Sequence, residues 1–227
     1  MCALSNQTRC AMLRLMTFIT GVVTAAGLSF WSVQHVSAQK KDASQEQLVD
    51  LSELTLEETL MLPDVPAKQT AYIKNYMNRE AHALHKMGYK VETTRKGEVV
   101  IASIPADELF APNSTTLLPS APERLKAFLP YFRTHGKFKV ILAMHSDDTG
   151  SDKYLYSLTE QRILALYGYF DSHAAQTDML QGYPMSDSEP LKDTPNTSYA
   201  NRRANRRLEI YIVPGPMLIM EAKSKKL

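Results

Sequence analysis

MHSDDTGSDKYLYSLTEQR, residues 144–162, joins the end of an apolar run to a helix. The run before it, residues 138–144, is rich in β-favouring apolar side chains. It is bounded by Gly136 on one side and by Ser146-Asp147-Asp148-Thr149-Gly150 on the other, and it reads as a central strand. Residues 158–170 read as a helix, with Ser157 as N-cap and Glu160 and Gln161 in its first turn. The order places an acid, Asp147, at a strand end and a guanidinium, Arg162, inside the next helix. One fixed negative and one fixed positive group suit a zwitterionic ligand.

Working outward, residues 179–183 read as a short strand, followed by a polar loop with Pro184, Pro190 and Pro195. A helix is expected from Ser198 and a last strand over 207–213, closed by Pro214-Gly215-Pro216. Upstream, residues 120–132 carry Leu125, Phe128, Leu129 and Phe132 on one helical face. Residues 89–93 and 98–104 read as a hairpin across Arg95-Lys96-Gly97. Residues 69–87 are a helix candidate with Gly88 in the C-cap position. Residues 39–68, broken by Pro63 and Pro66, read as a linker, although 51–62 could form a short amphipathic helix. The tail, 215–227, with Lys223, Lys225 and Lys226, is expected to be solvated. Strands alternating with helices make an α/β, or α+β, sandwich over 89–214.

The chain has 227 residues, 44% hydrophobic and 22% charged, enough for one domain with a core of useful size. Its 26 basic residues exceed its 24 acidic ones only by Arg9 and Arg14, which lie in an N-terminal segment without acids. The balance over the remainder argues against nucleic-acid binding driven by bulk charge. In that segment Arg9 and Arg14 precede an uncharged run, 15–33, and Val36-Ser37-Ala38 offers small residues for a signal peptidase. Residues 1–38 therefore read as a secretory signal peptide, with an uncleaved membrane anchor as the alternative. Cys2 and Cys10 both fall inside it, so the exported chain would carry no thiol; Cys10 follows Gln7-Thr8-Arg9 and lacks a lipoprotein context.

The order of motifs resembles the OmpA-like peptidoglycan-binding domain family (the C-terminal domain of OmpA, Pal and MotB). Its members show a strand ending in Gly-His-Thr-Asp, a Thr-Gly turn, an Asn-x-x-Leu-Ser-x-x-Arg helix start and a terminal Asn-Arg-Arg. Here these read Met144-His145-Ser146-Asp147, Thr149-Gly150, the helix start from Leu155 to Arg162, and Asn205-Arg206-Arg207 within Asn201-Arg202-Arg203-Ala204-Asn205-Arg206-Arg207. Met144, Ser146 and Leu155 replace the family's Gly, Thr and Asn, and Pro184 follows Gly182-Tyr183 where a second glycine is usual.

The resemblance implies a β-α-β-α-β-type domain with a mixed sheet and helices packed on one face. It implies peptidoglycan as partner, bound without covalent chemistry through the diaminopimelate of the stem peptide, and no cofactor. Asp147 would take the ligand's ammonium and Arg162 its carboxylate, helped by the N-terminus of a helix starting near Leu158. His145, Leu158, Phe110 and Arg206 would line the site. Each has a plainer reading: Asp147 as a turn or cap residue, Arg162 and Arg206 as ion-paired arginines, His145 as a packed strand residue, and Asn205 as a structural hydrogen-bonding residue. The implied setting is the periplasm, with or without outer-membrane association, where the domain anchors envelope to wall. The alternative is an envelope interaction module of the same fold that docks another envelope protein and no longer binds peptidoglycan.

Enzyme chemistry finds little support. His145, Ser146 and Asp147 are consecutive, and neighbours on a strand point to opposite faces, whereas a hydrolytic triad must converge. No nucleophile elbow, phosphate loop or zinc signature is present, and His82 and His85 form a helical i, i+3 pair without further ligands.

Overall fold

The computed structural model describes residues 54–224, so the signal-peptide reading of 1–38 lies outside the described residues. Five strands form one sheet: β1 (Lys90–Thr94), β2 (Val99–Pro105), β3 (Phe138–His145), β4 (Leu180–Ser186) and β5 (Arg207–Pro214). Their order is β1-β2-β5-β3-β4. Neighbours are antiparallel except for the parallel pair β3–β4, which is joined through the helix α4 (Asp152–His173), so the sheet is mixed, as expected. Pro184 is tolerated because β4 lies at the sheet edge.

Strand alternation sorts the two faces. Val140, Leu142 and Met144 of β3 and Leu208, Ile210 and Ile212 of β5 enter the main core. Four helices supply its other side: α2 (Thr70–Lys86), α3 (Ala121–Leu125), α4 and α6 (Pro216–Ser224). The helix expected over 120–132 narrows to a 3₁₀ turn after Leu125, because Pro130 cannot donate to the α-helical ladder. Gly182 lets α4 close on β4: a Cβ there would lie 2.4 Å from Ile163 Cγ2. A substitution would have to push the helix that carries Arg162 off the sheet.

Two segments read from sequence as linker and solvated tail are packed elements. In α6, Leu218, Ile219 and Ala222 are buried, while Lys137 meets Glu221 at 3.1 Å at its edge. A helix α1 (Leu56–Met61) lies on the sheet face opposite the main core, with Leu56 buried among Val99, Ile141, Ala143, Tyr211 and Val213. All eight residues of β3 and of β5 are therefore buried, as expected for strands covered on both faces. At the N-terminus of α1, Thr55 Oγ1 accepts from the Glu58 amide, and the Glu58 carboxylate accepts from the Thr55 amide at 2.9 Å, a capping box that Thr-x-x-Glu encodes. At its C-terminus, Arg95 donates to the carbonyls of Leu60 (2.9 Å) and Pro63 (3.2 Å), and Lys139 Nζ donates to that of Thr59 (2.5 Å).

Lys139 is buried, and burial together with the nearby Arg95 charge pushes its ammonium down from the ordinary 10.5 to about 8. Between those values the unfolded chain holds more protons than the folded one, so stability rises with pH across that window. Below pH 8 both states carry the charge and the burial cost is constant. The unfolding free energy measured in urea is expected to rise by up to about 2 kcal/mol between pH 8 and about pH 9.5, and to lose that slope in Lys139→Met. An unchanged slope in the variant would assign the effect to another group.

Candidate functional site

Beyond β3 the chain leaves the sheet. The β3–β4 register shifts between Met144 and His145, and Asp147 then sits in the turn that leads to α4. Its Oδ1 accepts from the Thr149 amide at 2.8 Å, and its Oδ2 accepts from Arg206 Nη1. Burial alone would raise the carboxyl, but the bonds from Arg206 and Thr149 outweigh it and hold the group below the usual carboxylate range. Asp147 is thus ionised at neutral pH although only 5% exposed.

The helix that carries Arg162 begins at Asp152, capped by Ser151, whose side chain accepts from the Tyr154 amide. It starts earlier than the Ser157 reading places it. Arg162 therefore projects from the interior of a 22-residue helix, and the expected help from a helix N-terminus beside it is not available. What holds Arg162 instead is a loop. Its Nε donates to the Ser114 carbonyl (2.9 Å) and its Nη2 to that of Ala111 (3.4 Å). The guanidinium lies 4.8 Å from the centre of the buried Phe110 ring. Among the described residues no protein acceptor meets Nη1, so part of a pre-oriented fork remains for a ligand.

Asp147 and Arg162 open into one cavity of about 450 Å³ that is also lined by Phe110, Leu158 and Arg206. Five of the six residues singled out from sequence therefore share one site. His145 does not. It ends β3 on the opposite face, 1% exposed, with Nε2 3.5 Å from Glu209 Oε2 beside Arg207 and Tyr211. It is a packed strand histidine, because strand alternation sends it to the face covered by α1. Leu155, in the place of the family's Asn, is 2% exposed and forms part of the cavity wall.

The cavity also includes residues that sequence reasoning missed. Tyr154 donates to Asn113 Oδ1 at 3.1 Å, and the two form one edge. Opposite them stands α5 (Tyr199–Asn205), capped by Ser198, whose hydroxyl accepts from the Asn201 amide. Helical spacing divides its arginines. Arg202 and Arg206, four apart, line this cavity, Arg202 also pairing with Asp148 at 2.9 Å, whereas Arg203 turns away to Asp107 at 2.7 Å. The signal for Arg202 was present in the Asn201–Arg207 motif; Asn113 and Tyr199 had none. Asn205 is wholly buried: its Nδ2 donates to the Thr194 carbonyl and Asn196 Oδ1, and its Oδ1 accepts from the Leu191 amide, each at 2.8 Å. It holds the loop before α5 in place.

The site thus offers two carboxylates, Asp107 and Asp147, and three guanidiniums, of which Arg202 and Arg206 are already paired. It can bind a group that carries both signs of charge. Among the described residues no three His, Cys, Asp or Glu side chains cluster as a metal site would require.

No protein-family model matches the sequence, and no curated protein matches it. Solved structures do. A MotB-like protein from Desulfovibrio vulgaris superposes with a TM-score of 0.56 at 22% identity, covering 64% of this chain and 98% of that one. The chain has the OmpA-like fold. The OmpA-like fold here carries α1 on the second sheet face and α6 after the last strand. Two more matches have TM-scores of 0.49. They are the cell wall anchor of the T6SS from Pseudomonas aeruginosa (23% identity, 59% of this chain, 93% of that one) and the periplasmic domain of Helicobacter pylori MotB, residues 78–256 (18% identity, 60% and 88%).

Proposed function

We propose that the protein is a non-catalytic, periplasmic peptidoglycan-binding protein that anchors the envelope to the wall by holding the diaminopimelate of the stem peptide. The observation that carries this reading is a cavity in which a buried, ionised Asp147 and a buried, partly unengaged Arg162 are presented together. Diaminopimelate ends in a carbon that bears an ammonium and a carboxylate. Asp147 accepts from the ammonium and Arg162 donates to the carboxylate, while Phe110, Leu155 and Leu158 cover the methylene chain. Each charge-assisted bond contributes roughly 1.5–3 kcal/mol, against association costs of at least ~4 kcal/mol. A single contact is therefore weak, which suits attachment to a polymer through many copies.

The discriminating ligand is one that lacks the carboxylate. Sacculi with diaminopimelate in the stem peptide are expected to sediment the protein, and sacculi with lysine at that position to retain about a tenth or less, since lysine keeps the ammonium but gives Arg162 nothing to hold. Equal sedimentation with both, or with neither, would overturn the proposal.

A further inference from the structure

A second cavity of about 440 Å³ lies on the other side of α5. Its wall is apolar, formed by Pro105, Leu191 and Tyr199 with two alanines of α5, and its charged residues are Lys90, Arg203 and Arg207. Among the described residues no carboxylate lines it. Arg207 is committed to Glu209 and to the carbonyls of Asn205 and Glu189, and is almost wholly buried. Lys90 and Arg203 are different. Both are exposed and, among the described residues, pair only with exposed acids, Glu92 at 3.1 Å and Asp107 at 2.7 Å, contacts weak enough to exchange for a ligand.

The two cavities are neighbours. Tyr199, 76% exposed, lines both. The Arg203–Asp107 pair also stands between them, since Arg203 lines the second and Asp107 the first. A helix with its side chains is about 10–12 Å across, and an extended chain covers roughly 3.3–3.6 Å per residue. A ligand held by its end in the first cavity must span about three residue lengths to reach the second; diaminopimelate held at its far carbon supplies about half of that through the four bonds of its side chain, and the residue after it supplies the rest.

We propose that this second cavity receives the D-alanyl end of the same stem peptide, with alanine methyls on the apolar wall and the terminal carboxylate at Lys90 and Arg203. The inference rests on the reading of the first cavity as a diaminopimelate site. In a stem peptide, diaminopimelate is followed by D-alanine, a small apolar residue that ends the chain in a carboxylate, and this is the chemistry the cavity offers. Tyr199 is the ridge over which the peptide crosses. The site therefore distinguishes stems by length: tripeptides ending at diaminopimelate occupy one cavity, and tetra- and pentapeptides occupy both.

Calorimetric titration of the purified protein with soluble stem tripeptide, tetrapeptide, pentapeptide and a tetrapeptide ending in carboxamide tests this. The tetra- and pentapeptides are expected to bind about 10-fold more tightly than the tripeptide, and the carboxamide to fall back to the tripeptide value. Lys90→Gln combined with Arg203→Gln is expected to bring the tetrapeptide-to-tripeptide ratio to one. That ratio is insensitive to any indirect effect on Asp107, which acts on both ligands. Equal affinity of tripeptide and tetrapeptide for the unmodified protein would overturn this inference and leave the diaminopimelate site standing. A tetrapeptide preference that survives in the double variant would place the discrimination elsewhere and overturn it too. Absence of binding by every peptide would remove the first reading, and the second with it.

Discussion

Arg162→Ala is expected to weaken binding to diaminopimelate-containing sacculi by roughly 100-fold, the loss of one or two charge-assisted hydrogen bonds. The reason lies in how the residue is held. Its Nε and Nη2 are spent on the carbonyls of Ser114 and Ala111, and its plane rests over Phe110, so the remaining donor is aimed without a further entropic cost. Arg162→Lys separates charge from geometry. An ammonium cannot satisfy two loop carbonyls and a ligand carboxylate through a planar fork, so less than a tenth of the lost affinity is expected to return. Alanine also strips both carbonyls of their partner and leaves a gap beside Phe110, so the melting temperature should fall by a few degrees. Circular dichroism must therefore accompany the sedimentation assay. Folded Arg162→Ala that still sediments like the unmodified protein would mean that the wall is held elsewhere.

Much of this site was legible because its residues sit where sequence pattern is strongest. An all-buried β3 gives an unbroken apolar run from Val140 to Met144, so the turn after it, and Asp147 within it, stand out. The arginine motif survives as spacing, and helical periodicity then decides that Arg202 lines the cavity while Arg203 does not. Other features left weaker traces. The start of α4 was misplaced because Ser151 and Ser157 both satisfy the chemistry of an N-cap, and only the backbone, with the Ser151 side chain accepting from the Tyr154 amide, chooses between them. His145 was drawn to the site by its closeness to Asp147 in sequence. Two residues apart they would share a face of a continuing strand, but β3 ends at His145 and the chain turns away. Helix α1 has only six residues; its capping box is local, but Lys139 and Arg95, which hold its C-terminal carbonyls, are distant in sequence and invisible to any local window. The loop carbonyls that fix Arg162 belong to the backbone and have no residue signature at all.

Glu209→Gln is expected to destabilise the fold by about 3 kcal/mol at neutral pH, the low end for breaking a buried ion pair. Glu209 sits on the second face of β5, where Oε1 accepts from Arg207 Nε at 2.7 Å and Oε2 from the Tyr211 hydroxyl at 2.5 Å. Burial would raise its carboxyl, but the facing His145, the Arg207 charge and the Tyr211 hydroxyl pull it down to about 2. Its folded value is depressed below the ordinary 4.5, so its contribution is complete above pH 4.5 and is lost as the pH falls through 2. Urea unfolding of the unmodified protein should show that loss, and Glu209→Gln should not. Replacing Arg207 as well, in Arg207→Met with Glu209→Met, should recover much of the stability, since the penalty comes from an abandoned guanidinium and not from the absence of a pair. The consequence reaches the candidate site because Arg207, which this network holds, follows Arg206 directly in the chain. If Glu209→Gln keeps its stability within about 0.5 kcal/mol, the ladder to β2 and β3 alone sets the register of β5. If it loses stability as expected, the polar cluster opposite the cavity is part of what holds Arg206 against Asp147, and affinity for sacculi should decline with it even though no residue of the cavity has changed.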